Sequence, residues 1–206
     1  EVIYNAFPWS DRASLDGLAK DRTGRRRASL HWYSQTLGES RGLEDLLAAL
    51  PFISGEVELH LRGQPTQGFE EWFRPRIPSN WEGRILVHGL VPNAELLSRI
   101  AEHDIGFAGE MKYCLSRELT VTNKILHYLL AGLAVVASDT EGQKEIAAHV
   151  PEGVAVYASG QPGALAEEIN WLLSSEERLG AAKAASLAAA EFNFCWERQE
   201  SRLLRR

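Results

Sequence analysis

Hydrophobic and polar positions change period along the chain in a regular order. Ser29-Leu30-His31-Trp32-Tyr33-Ser34 is rich in aromatics and ends in small polar residues, which predicts a strand. Leu37-Gly38-Glu39-Ser40 reads as a turn. Ser40 is then placed to cap a helix from Arg41 to Leu50 that keeps Leu43, Leu46, Leu47 and Leu50 on one face. Val57-Glu58-Leu59-His60-Leu61 alternates and is closed by Gly63, a second strand. Phe69 to Trp72 suggests a short helix before Pro75 and Pro78. Arg84 to His88 is a third strand ended by Gly89, and Pro92-Asn93 starts a helix through Leu96, Leu97 and Ile100. Asp104 to Ala108 is a short fourth strand, and Asn123 to Leu130 a helix stopped by Gly132. Leu133-Ala134-Val135-Val136-Ala137 is apolar at every position, the pattern of a strand covered on both faces in the middle of a parallel sheet. Gly142 to His149 predicts a helix and Gly153 to Tyr157 the sixth strand. Pro162 to Arg206 is Ala-rich and helical.

Six strands alternating with helices predict an α/β fold: a doubly wound, six-stranded parallel sheet with right-handed crossovers and C-terminal helices. Nothing divides residues 29–206, and there is no internal repeat. Residues 1–28 form a lead-in. Its stretch from Asp11 is polar, and Arg25-Arg26-Arg27 reads as a solvated charge run.

Composition narrows the picture. With 206 residues, 45% hydrophobic and 24% charged, the chain is an ordinary globular sequence that needs no staple to build a core. A net charge of −6 argues against a general nucleic-acid partner. Two cysteines, Cys114 and Cys195, are too few for a disulfide framework and suit a reducing, cytoplasmic setting. No run approaches the ~20 apolar residues of a membrane span. The chain begins Glu1-Val2-Ile3-Tyr4 without Met, so it reads as a piece of a longer protein.

In open α/β sheets, ligands bind outside the carboxyl ends of the strands, so the informative loops are the ones that follow strands. In the first, Gly38 can bring backbone close to a ligand, and Ser40, Arg41 and the amides of the following helix suit a phosphate. The alternative for Arg41 is a plain surface charge. Neither a GxGxxG fingerprint nor a Walker A motif is present, and no Asp-x-Asp metal motif. Farther on, Thr122 or Asn123 can cap the helix that carries Lys124. Its free amides and that ammonium make an anion site suited to a diphosphate. His127 lies one turn later on the same face and looks into the same cleft. A solvated Lys124 and a packing His127 are the alternatives.

The run Asn123-Lys124, then His127-Tyr128-Leu129-Leu130-Ala131-Gly132, the strand to Ser138-Asp139, and Gly142-Gln143-Lys144-Glu145 closely resembles the donor half of GT-B glycosyltransferases of the family-4 type. Weaker matches keep the order: Val2 to Asn5 resembles their interdomain segment, Gly38 to Gly42 their first phosphate loop, Val91 to Leu97 the segment after the third strand, and Phe194 to Glu197 the start of the closing helix. The resemblance implies residues 1–28 as interdomain linker and residues 29–206 as a Rossmann-like nucleotide-sugar-binding domain. It further implies a hexosyltransferase-like, retaining, metal-independent enzyme of roughly twice this length that needs no cofactor. Arg41, Lys124 and Glu118 would be catalytic. Gly38, Ser40, Val91, Thr122, Asn123 and His127 would hold the nucleotide sugar, with the nucleotide against the 89–93 loop and the sugar toward the 110–122 loop.

The pattern departs from the family at three places. The second of the family's paired glutamates, the ribose contact, falls at His127. The first falls near Leu119, with Glu118 its nearest acid, and a common strand proline is Ala134. A glycan or other acceptor would be held by an N-terminal domain outside this chain, which alone would bind donor and transfer nothing. Membrane contact, peripheral at the inner face, stays open for the longer protein. The alternatives are a non-catalytic nucleotide- or sugar-binding module, and a GT-B epimerase or phosphorylase.

Overall fold

The computed structural model describes residues 2–204. Glu1, Arg205 and Arg206 lie outside the described residues, and with them the end of the helical stretch expected to reach Arg206. The elements run β1 (Ala28–Leu37), α1 (Glu44–Ala49), β2 (Val57–Pro65), α2 (Phe69–Phe73), β3 (Ile85–His88), α3 (Asn93–Ala101), β4 (Ile105–Ala108), α4 (Leu115–Leu119), α5 (Asn123–Ala131), β5 (Ala134–Ser138), α6 (Glu141–His149), β6 (Val154–Tyr157), α7 (Pro162–Leu173), α8 (Glu176–Phe192) and α9 (Trp196–Leu203). All six strands are parallel, in the order β3-β2-β1-β4-β5-β6. The doubly wound sheet read from the sequence is therefore the observed one. Strand order reverses between β1 and β4, which fixes the crevice where a ligand can enter.

Two cores flank the sheet. Leucines of α1 and the apolar face of α7 pack on one side. Ile125 to Leu130 of α5, with Leu97 and Ile100 of α3, pack on the other. β5 feeds both: Ala134 and Val136 join the first core, Val135 and Ala137 the second. Its unbroken apolar run follows from this position between β4 and β6. Gly132 takes the left-handed conformation (φ 78°) that ends α5, as its sequence position predicts. The Ala-rich tail is three helices, α7 to α9. α8 restarts at Ser175, whose hydroxyl accepts from the Arg178 amide.

Three local expectations are corrected. Ser40 does not cap α1, because the chain kinks at Ser40 (φ 60°) and Gly42 (φ 84°), and the helix begins only at Glu44. The Ser40 amide instead donates to the Glu44 carboxylate. β1 runs three residues past Ser34, through an irregularity between Tyr33 and Thr36. The loop after β4 contains the short helix α4.

The lead-in is mostly exposed, but Asp21 and Arg22 turn inward. Histidines rather than aliphatic side chains cover one face of β1–β3: His31, His60 and His88, one from each strand, joined by His103 at the end of α3. His31 stacks on His103 at 4.4 Å, and His60 Nδ1 lies 3.0 Å from His88 Nε2. Asp21 lids this layer. Its carboxylate pairs with Arg62 and lies 3.5 Å from His88 and 3.7 Å from His103. Arg22 pairs with Asp104 at 2.9 Å. Burial pushes the pKa of all four imidazoles below the ordinary value, His60 down to about 3, so the layer is neutral near pH 7.

The ends of the described chain meet at α9. The Tyr4 amide donates to Gln199, the Trp9 and Ser10 amides donate to the Glu197 carboxylate, and the Trp196 amide donates to the Phe7 carbonyl at 2.9 Å.

Candidate functional site

The reversal between β1 and β4 brings two loops together at their carboxyl ends. A Cβ on Gly42 would overlap the Gly109 carbonyl oxygen, so the loops touch backbone to backbone. Only glycine permits both that approach and the left-handed φ at residue 42. Beside this contact lies a small polar cavity of about 70 Å³, lined by Ser34, Ser40, Arg41, Glu110, Arg117 and Lys124, among others. Three cations thus face one carboxylate. The buried Glu110 carboxylate accepts from Lys124 Nζ at 2.9 Å and from Arg117 at 3.1 Å. The Lys124 ammonium also sits 5.3 Å from the centroid of the Trp32 ring. Among the described residues Arg41 pairs with no carboxylate. The Glu110 backbone is fixed from behind, its amide donating to the Ser138 hydroxyl at 2.8 Å, which in turn accepts from Gln143.

Ser34 also lines a larger cavity of about 440 Å³, with Phe7, Tyr33, Arg62, Val91, Asn123 and His127 on its walls. His127 stacks flat on Phe7 with centroids 3.4 Å apart, and its Nδ1 lies 2.6 Å from the Tyr33 hydroxyl. Burial lowers the His127 pKa to about 4, so the imidazole is neutral near pH 7. Burial raises the Tyr33 phenol well above its usual value, so it keeps its proton and donates to Nδ1. The other ring nitrogen then carries the hydrogen. Arg62 ties this wall to the lead-in, donating to the Gly89 carbonyl and pairing with Asp21.

The residues expected from the sequence fall into three groups. Ser40, Arg41 and Lys124 meet at the small cavity, and Val91, Asn123 and His127 meet at the large one. Gly38, Thr122 and Glu118 line neither. Gly38 is buried against β2, where a Cβ would come 2.6 Å from the Thr66 hydroxyl, so packing accounts for this glycine. Thr122 holds the N-cap position of α5, but its buried hydroxyl bonds no helix amide and has no hydrogen-bond partner. Glu118 faces Lys112, 3.9 Å away, which is itself held by Asp139 at 2.9 Å. Glu110, Arg117, Phe7 and Tyr33 were not foreseen. Glu110 is the first acid after β4, in a loop already marked as ligand-facing, but nothing in the sequence ranked it above Glu118. Among the described residues no group of three or more His, Cys, Asp or Glu could hold a metal ion. No helix among them is long and apolar enough to cross a membrane.

A family model for group 1 glycosyl transferases matches residues 31–175, which include both loops and α5. The chain belongs to this family. Solved glycosyltransferase structures of the GT-B fold are similar to it, as the α5–β5 motif implied. Anabaena HepE, crystallised with UDP and glucose, superposes with a TM-score of 0.77 at 18% identity, over 100% of this chain and 56% of its own. WaaG, a glycosyltransferase involved in lipopolysaccharide biosynthesis, gives 0.70 at 14% identity, over 98% of this chain and 55% of its own. Sucrose-phosphate synthase from Thermosynechococcus elongatus gives 0.67 at 16% identity, over 97% and 48%. At these identities the likeness is one of fold. A comparison with curated protein sequences finds no match. This group 1 glycosyltransferase chain thus spans about half the length of the structures it resembles.

Proposed function

We propose that this chain is the donor-binding lobe of a glycosyltransferase, taking a nucleoside diphosphate sugar whose diphosphate sits in the small cavity and whose nucleoside occupies the large one. The observation that carries the reading is the charge of the small cavity. Three cations and one carboxylate line it at the strand-order reversal, leaving two positive charges in excess in a partly buried pocket. That is the complement of a diphosphate ester. In sugar transfer the diphosphate is the leaving group, and negative charge grows on it as the glycosidic bond breaks. Arg41, Lys124 and the amides at the start of α5 stabilise that charge where it develops, which lowers the barrier to bond breaking. The chain's own cations fill the role a divalent metal would otherwise take, so EDTA is expected to leave binding unchanged. The acceptor is held by a second lobe, and the anomeric configuration is retained, as in the family this chain resembles. This chain alone binds donor without transferring sugar.

Calorimetry with UDP, GDP and ADP tests the proposal. Binding of at least one is expected, and no heat from any of them at millimolar concentration overturns it. Arg41→Ala and Lys124→Ala are each expected to weaken binding by ~1.5–3 kcal/mol, the range for a charge-assisted contact. Unchanged affinity in both variants would remove the diphosphate from this cavity.

A further inference from the structure

We propose that Glu110 sets the charge of the diphosphate cavity so that the site favours the sugar-bearing donor over the nucleoside diphosphate left after transfer. The inference rests on the donor-site reading above and assigns a specificity-determining role within it. Glu110 is buried at the carboxyl end of β4. Its two oxygens are divided between two cations on different elements, Lys124 at the start of α5 and Arg117 on α4. It is the only carboxylate among the described residues that line this cavity. The Ser138–Gln143 pair behind its amide holds the backbone, so the carboxylate cannot easily withdraw.

The consequence is electrostatic. In a nucleotide sugar one terminal phosphate oxygen is esterified, and the diphosphate carries about two negative charges. The free nucleoside diphosphate carries close to three, because its terminal phosphate has a second pKa of roughly 6. With Glu110 ionised, the cavity has two positive charges in excess, which match the donor. Once the sugar leaves, the extra product charge meets the Glu110 carboxylate with no unmatched cation to offset it. The product, with one more negative charge, feels this repulsion more than the donor does, so Glu110 shifts relative affinity toward the donor and speeds product departure. Without it, the third cation would capture the product.

The test compares ligands that differ by one charge. Kd is measured by calorimetry for UDP and UDP-glucose, GDP and GDP-mannose, and ADP and ADP-glucose, using the pair that the unmodified chain binds. Glu110→Gln keeps the shape and removes the charge. It is expected to shift the affinity ratio toward the free diphosphate by about tenfold or more, the scale for one charge about 10 Å away at the effective dielectric of a partly buried site. Glu110→Asp should restore the original ratio. Arg117→Ala, at a half-buried position on the short helix α4, should shift the ratio the opposite way and supplies the test even if Glu110→Gln does not fold. A role confined to holding Lys124 in place would change both Kd values by the same factor. An unchanged ratio in Glu110→Gln and in Arg117→Ala therefore overturns the inference while leaving the donor site intact. Failure of the unmodified chain to bind any of the six ligands overturns the donor-site reading, and this inference with it.

Discussion

Taking the protein from pH 7 to pH 5 is expected to remove about 4 kcal/mol of folding stability through His60 and His127 alone. An unfolded histidine binds its proton near pH 6.5. Folded His60 does so only at about pH 3 and His127 at about 4, because burial disfavours the charged ring. Between those values the unfolded chain holds the extra protons. The stability is fully present above pH 6.5 and drains away as the pH falls toward 3, at about 2 kcal/mol per group by pH 5. His31 and His103, also lowered by burial, add to the slope. So does Asp21 at lower pH, since its partners His103 and Arg62 outweigh burial and hold its carboxyl far below the usual range. Glu102 opposes, because burial raises its pKa. Domains of this size are commonly stable by 5–15 kcal/mol, so the loss is a large share of the whole. Urea titrations at pH 7 and pH 5 read it directly. Equal midpoints at both would show that the histidine layer is not buried in its neutral form.

Gly42→Ala is expected to cost on the order of 3 kcal/mol and to abolish diphosphate binding. The new methyl would need a left-handed backbone, unfavourable for any residue with a Cβ, and would press on the Gly109 carbonyl oxygen. The β1 and β4 loops must then part, and they carry Arg41 and Glu110. Gly83→Ala is the control. It has the same kind of φ, 72°, but open space around it. It should lose about 1 kcal/mol and keep full binding. Thermal melts and calorimetry on both variants separate the two causes. Wild-type melting and binding in Gly42→Ala would show that the loop contact is unimportant.

These expectations also show where the sequence was readable. α5 and β5 could be drawn in advance because their signals are local: a polar start at Thr122-Asn123, a glycine stop, and a strand apolar on both sides. The parallel, doubly wound sheet needed only the alternation of strands and helices, whereas its strand order came from the structure. Arg41, Lys124 and His127 could be named because each lies in a loop that follows a strand or on the first turns of the helix after it. Glu110 could not be weighed against Glu118 by spacing, because the fold of the 109–122 loop decides which acid meets Lys124. Ser40 looked like a cap because chain order hides a positive φ two residues before another. The histidine layer was missed for a different reason. His31 and His60 sat within strand patterns, and their cover comes from far along the chain: His103 after α3, Tyr128 of α5, and Asp21 of the lead-in over His88 and His103. Phe7 lay outside every predicted element and reaches the large cavity through its bond to α9.

The staple between residues 4–10 and α9 gives the molecule a mechanical character. A load applied across the two ends would pass through Gln199, Glu197 and the Phe7 carbonyl before any strand of the sheet felt it. Side-chain bonds in series open one after another, as a zipper does, whereas parallel strands resist shear together. Tyr4 would yield first and Phe7, the aromatic wall lying flat on His127, next. Tension or twist at the ends would reach the large cavity while the sheet beneath stayed at rest.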